Sequence, residues 1–201
     1  MITETQKKLL LDEFPELQFE DVDLSKEVLS HFGLLFSGFA LLEAAIQNCF
    51  VFWKLHSALL AGEINSQDDW VHRHKSLETS AFAATFGTLL KLTADCPDLA
   101  SNMNALKSLR EKRNYFAHHF FREENVKMFS DESRLDLIWG MNAVRLEVKQ
   151  VEIALKTVSE KLLFRIYPNL DIQKELDSAV ETLKADALKN PSPAFGWEGS
   201  S

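Results

Sequence analysis

Between Val28 and Trp53 the chain carries a single formal charge, Glu43. A run this apolar must be kept from water on nearly every side. That leaves two fates, the central helix of a bundle or the span of a membrane. Ser30, His31, Ser37, Gln47 and Asn48 interrupt the run and no comparable segment follows it, so the sequence predicts a bundle helix and no membrane contact. Asp23 is placed to cap it and Gly62 to stop it, giving a helix over 24–61 with a kink near Gly33 or Gly38. A carboxylate alone in such a run must go neutral or find a cation, and the economical partner for Glu43 is an arginine or histidine from another helix.

The remainder follows the same pattern. Seven glycines and five prolines leave little turn chemistry for strands, so the fold class is all-α, a helical bundle of about five long helices. The 201 residues divide into an arm over 1–23 with a short amphipathic helix at 3–13, the bundle over 24–168, a helix over 169–190 and a proline- and serine-rich tail over 191–201 expected to be disordered. Asn65 or Ser66 caps a helix over 67–93, whose core face is Leu77, Phe82, Phe86, Leu89, Leu90 and Leu92. Pro97 or Asp98 opens one over 98–121. Glu123 to Ser130 form a polar loop. Ser130 or Asp131 then starts a last long helix ending near Tyr167, with Leu135, Ile138, Trp139, Ala143, Leu146, Val151, Leu155, Val158 and Leu162 on its apolar face. It is the natural antiparallel partner of the helix over 98–121.

That helix over 98–121 carries the chemistry. Leu99, Met103, Leu106, Leu109, Phe116, Ala117 and Phe120 share one apolar face, with Arg113 in its middle. A guanidinium stays charged, so this position demands a carboxylate, a phosphate or a polar cluster. Asn114 and His118 stand four residues apart on the flank of the same helix. Arginine binds an anion, asparagine donates and accepts, and histidine moves a proton near neutral pH; together they suit phosphate chemistry. Lys107, Arg110 and Arg122 make a basic island around them in a chain of net charge -8. Such a balance argues against broad coating of nucleic acid and for one anionic segment.

Arg113-Asn114-x-x-x-His118, late in an all-helical chain, resembles the signature of the HEPN superfamily, with His119 fitting at one residue's longer spacing. The resemblance implies a metal-independent ribonuclease working as a homodimer, with two Arg-His sets facing each other, in a toxin or phage-defence role that can involve an antitoxin protein. Catalysis then falls to Arg113, Asn114 and His118, with Glu43 and His119 supporting and Lys107, Arg110 and Arg122 touching RNA. In one toxin branch a tyrosine two positions after the histidine is modified by a partner enzyme; here that position is Phe120, which puts that control in doubt. The isologous interface is expected to start at the Asn114–His118 edge.

No cofactor is expected. His72 and His74 point to opposite sides of a helix and cannot share a metal, and Gly-rich phosphate loops and Cys/His clusters are absent from the sequence. Cys49 and Cys96 form no disulfide framework, and with no signal pattern in MITETQKKLLLDEF the expectation is a cytoplasmic protein with reduced thiols. The alternative from another class is a non-catalytic helical interaction or nucleotide-binding module, in which Arg113, Asn114 and Glu43 form a buried polar network that fixes helix register.

Overall fold

The computed structural model describes residues 24–169 and 172–189. The expected arm helix at 3–13, the Asp23 cap and the tail over 191–201 lie outside them. Helix α1, Leu24–Leu60, is continuous through Gly33 and Gly38. It ends where Gly62 takes a left-handed φ of 68°. The Gly62 N–H then bonds Leu59 O at 3.1 Å and the Glu63 N–H bonds Ala58 O at 3.0 Å, satisfying carbonyls the helix leaves open.

Ser66 starts α2, Gln67–Phe82, by accepting from the Asp69 N–H. The single helix expected over 67–93 is in fact two. Thr85 accepts from the Thr88 N–H and opens α3, Phe86–Leu92, so a threonine cap overrides the apolar spacing that runs across it. The break also turns Phe82 out of the expected core face, leaving it 68% exposed.

A 3-10 turn over Pro97–Asn102 leads into α4, Met103–His118, and the one-turn α5, Phe120–Glu123. The helix expected over 98–121 is therefore shorter at both ends. At its start proline favours a tight first turn. At its end the chain leaves helical geometry at His119, and buried Phe120 then packs against Phe116 and Phe32, with ring centroids 5.1 and 5.6 Å apart. A second 3-10 turn, Asn125–Phe129, precedes α6, Asp131–Ile166, which Ser130 caps through the Ser133 N–H. Helix α7, Ile172–Lys189, follows. Among the described residues there is no strand, and the class is all-α as expected.

The two long helices, α1 and α6, run parallel. Gly38 faces Val148, whose Cγ1 lies 3.4 Å from where a Cβ would stand, and the Cys49 thiol meets Leu155 O at 3.6 Å. Gly38 thus lets the rods approach without a clash. Both contribute a seven-residue repeat to the contact. On α1 it is Val28, Leu35, Leu42 and Cys49 with Phe32, Phe39, Ile46 and Trp53; on α6 it is Leu137, Val144, Val151 and Val158 with Met141, Val148, Leu155 and Leu162. A 3.5-residue repeat kept on both partners is the pattern of a coiled-coil seam. Of the α6 face expected from sequence, Leu155, Val158 and Leu162 are buried. Leu135, Trp139 and Leu146 are instead 43, 67 and 54% exposed, because a strict seven-residue repeat buries Leu137 and Met141 in their place.

Helix α4 runs antiparallel to α6 as expected, tied at one end by Asp98 to Arg165 and near the other by Lys112 to Glu147. The α2 helix returns along α1, where the Gln47 amide donates to Ala81 O and Arg73 pairs with Glu63. By length and composition α1 could cross a membrane, with mean hydropathy 1.6 in its most apolar window. Here it is the central helix, packed against α2, α3 and α6.

The Asp98–Arg165 pair is bidentate, at 2.7 and 2.8 Å, and holds the Asp98 carboxyl below its ordinary pKa. A depressed carboxyl adds stability above its unfolded value of about 3.9, and that stability is lost as pH falls through the folded value. Asp98→Asn is therefore expected to melt below the wild type at pH 7 and to converge with it in that acidic range. Thermal melts across pH test this; an equal deficit at every pH would assign the loss to packing.

Candidate active site around Arg113 and His118

The site is built on the last two turns of α4. Buried Leu106, Leu109 and Phe116 seat one face of that helix, so Arg113 comes over the flank of α1. There its Nε lies 3.4 Å from Glu43 Oε1, with the two side chains 33 and 22% exposed. The pairing expected for Glu43 is present. It is a long ion pair whose closest approach is at Nε, and among the described residues the terminal Nη nitrogens of Arg113 have no hydrogen-bond partner. The planar fork that binds carboxylate or phosphate in a bidentate manner is left open.

Asn114 is half-buried and His118 exposed, and among the described residues neither side chain has a hydrogen-bond partner. The structure thus gives His118 access to solvent without a group that fixes its tautomer. His119 differs. Its Nδ1 lies 2.7 Å from Arg122 Nη2 and 3.2 Å from Glu123 Oε1, and its ring stacks on Tyr115 with centroids 6.4 Å apart. The ring is thus held between a guanidinium, which donates, and a carboxylate, which accepts. His119 is committed to closing the helix end, whereas His118 is free.

Behind His119 the Tyr115 hydroxyl donates to Glu124 Oε1 at 2.7 Å, and Lys127 pairs with the same carboxylate at 2.6 Å. Desolvation, helped by that bond to a carboxylate, pushes the Tyr115 phenol up to about 12. Lys127 and then Tyr115 hold Glu124 below its ordinary value. Tyr115 therefore stays a neutral donor and anchors the loop after α5 to the motif helix. Sequence reading missed this latch, as no local spacing links residues 115 and 124.

The basic island is less free than its sequence suggests. Arg110 pairs with Glu111 and Lys112 with Glu147. Arg122 is tied to His119 and lies 3.6 Å from Glu123. Lys107 is exposed and borders a cleft of about 510 Å³ shared with Lys91, Arg110, Leu90 and Met103. Lys107, Glu111, Asn114 and His118 follow one another at helical spacing, so this cleft and His118 lie along one face of α4. Lys91 was not singled out by sequence, because it belongs to α3 and reaches the cleft only through the fold.

Among the described residues no cluster of histidine, cysteine and acidic side chains could hold a metal ion. Cys49 and Cys96 are free and buried, and burial pushes both thiols up, Cys49 to about 12. Neither is a nucleophile near neutral pH.

No protein-family model, curated protein or solved structure matches the chain.

Proposed function

We propose that this protein is a metal-independent endoribonuclease of the HEPN type, acting as a homodimer. One observation carries the reading: on a single helix, an arginine fork with its terminal nitrogens open stands five residues before an exposed, unpartnered imidazole. Arg113 binds the non-bridging oxygens of the scissile phosphate and stabilises the charge that builds on them. Neutral His118 takes the proton of the ribose 2'-hydroxyl. The 2'-oxygen attacks phosphorus, the bond from phosphorus to the 5'-oxygen breaks, and the leaving oxygen takes a proton from His118 of the second subunit. One chain holds half of this acid/base pair, which is the mechanistic reason for a dimer. Asn114 lies one turn before His118 and orients it once RNA is bound. Lys91 and Lys107 attract the neighbouring backbone charge. Buried reduced thiols agree with a cytoplasmic setting, and a toxin or phage-defence role with a protein antitoxin is the biological form this chemistry would take.

The experiment compares a single-stranded RNA with the DNA of the same sequence, with and without a chelator. RNA is expected to be cut to products ending in 2',3'-cyclic phosphate, unaffected by the chelator, and DNA to survive, since it lacks the attacking hydroxyl. Cutting of DNA at an equal rate, or loss of activity with the chelator, overturns the mechanism.

The Glu43–Arg113 contact also supports a second reading, a non-catalytic module in which that pair fixes helix register. Against it stand the incomplete burial of both side chains and the absence of Asn114 from the pair.

A further inference from the structure

The cleft of about 510 Å³ beside α4 joins two kinds of chemistry. Buried Leu90 from α3 and half-buried Met103 from α4 give it an apolar lining. Lys91 and Lys107 reach it from the same two helices, and among the described residues neither has an ion-pair partner. In a chain of net charge -8, two unpaired ammonium groups brought to one opening from separate helices point to an anion between them. Arg110 and Glu111 supply a third feature. Both Nε and Nη2 of Arg110 donate to Oε1 of Glu111, which leaves Oε2 of that carboxylate to accept from a ligand. Gly87 has no side chain where a Cβ would come within 3.7 Å of Arg110 Cδ, and Ala94 adds only a methyl, so the cleft stays open beside these groups.

We infer that this cleft is a guanine subsite, which holds one guanylate of the RNA at a set distance from the cut. The occupant follows from the polar groups. Guanine carries the acceptor O6 beside two adjacent donors, N1–H and the 2-amino group, and among the RNA bases only guanine has such a donor pair. Adenine and cytosine each bring one amino donor next to acceptors, and uracil brings one N–H between two carbonyls. Glu111 accepts from the donor pair, Arg110 donates to O6, and the ring lies against Leu90 and Met103. Lys91 and Lys107, on opposite walls, take the phosphates on either side of that nucleotide. A carboxylate in a cleft meant only for backbone phosphate would repel its ligand, so Glu111 is the residue that makes the site read a base.

The place of the subsite along the strand follows from α4. Glu111 precedes His118 by two turns on one face of the helix, which sets them about 10 Å apart along its axis. A stacked strand carries one phosphate per ~3.4 Å, so the guanine lies about three nucleotides from the scissile bond. Glu111 touches neither the reacting phosphate nor His118. It decides where the strand is cut, and the proton transfers stay with the motif. The distance to the cut rests on the ribonuclease reading, while the choice of guanine rests on the cleft alone.

The test titrates full-length His118→Ala, which keeps the cleft and stops the cut, with a short fluorescent RNA of uridines carrying one guanine, and with the same RNA carrying adenine or inosine there. Adenine is expected to bind about tenfold more weakly than guanine, the low end of what a bidentate contact to a base gives. Inosine, which lacks only the 2-amino donor, falls between them. Glu111→Gln, and separately Ala94→Trp, which fills the cleft, bring the guanine and adenine RNAs to equal affinity. Both residues are exposed, so an unchanged helical circular dichroism spectrum is expected for each variant. In the wild type the cut falls about three nucleotides from the guanine and moves with it when the guanine is moved along the strand. Equal affinity for the guanine and adenine RNAs in the parent overturns the subsite, and so does a guanine preference that survives both variants. Guanosine monophosphate that binds as tightly as the guanine RNA overturns the strand as the occupant and makes it a free nucleotide. A guanine preference in a wild type that cuts no RNA leaves the subsite standing and removes the ribonuclease, whereas cutting that ignores guanine does the reverse.

Discussion

His118→Ala is expected to lower RNA cleavage by about 100- to 10,000-fold, the range a general acid or base contributes, while leaving the melting temperature where it was. The stability half of that expectation comes from the structure. His118 is exposed at the end of α4, and the closing contacts there belong to His119, through Arg122, Glu123 and Tyr115. Removing the imidazole of His118 strands no buried polar group and opens no cavity, so it lacks the usual routes to a large loss. His119→Ala is the internal control. It unties Arg122 and bares the Tyr115 ring, costing some stability while sparing most of the chemistry. Single-turnover cleavage and thermal melts on both variants test the assignment. Loss of activity in His119→Ala with retention in His118→Ala would move the proton transfer one residue on.

The distinction between these histidines marks where the sequence stopped being informative. Both fit the motif spacing, and only the fold shows that one is a cap and the other is free. The all-α class, the central α1 and the Glu43–Arg113 pairing were readable, because each follows from burying an apolar run or neutralising a charge within it. What was misread came from competition between signals. The Thr85 cap broke an apolar pattern that continues past it, and His119 left the helix where Phe120 gains burial. On α6 two apolar seams lie on one helix, and sequence alone merged them. The apolar spacing counts Leu135, Trp139 and Leu146 with the core, whereas the fold leaves all three exposed. The Tyr115–Glu124 latch and the Lys91–Lys107 cleft join residues from different elements, which periodicity within one element cannot reveal.

Arg113 separates the two functional readings by magnitude. Were the Glu43–Arg113 pair wholly buried, Arg113→Ala would leave an unpaired charge and cost about 3–5 kcal/mol. The pair is instead 3.4 Å long, with Arg113 one-third exposed and Glu43 nearly a quarter, so water reaches both. A cost nearer the solvent-exposed range of up to about 1 kcal/mol is expected. For a chain of this size that is a fall of about 2–4 °C in melting temperature. Activity should respond far more, by about 100- to 1,000-fold, as when one donor to a developing negative charge is removed. Arg113→Lys keeps the charge and loses the fork, and it should recover the melting temperature while recovering little activity. Glu43→Gln completes the test. It leaves a hydrogen-bonding group beside Nε without the charge, so a positioning role predicts a modest fall in cleavage with most of the stability kept. Should Arg113→Ala instead unfold the protein while Glu43→Gln and Arg113→Lys both cut RNA at the wild-type rate, the pair is scaffold and the phosphate chemistry lies elsewhere.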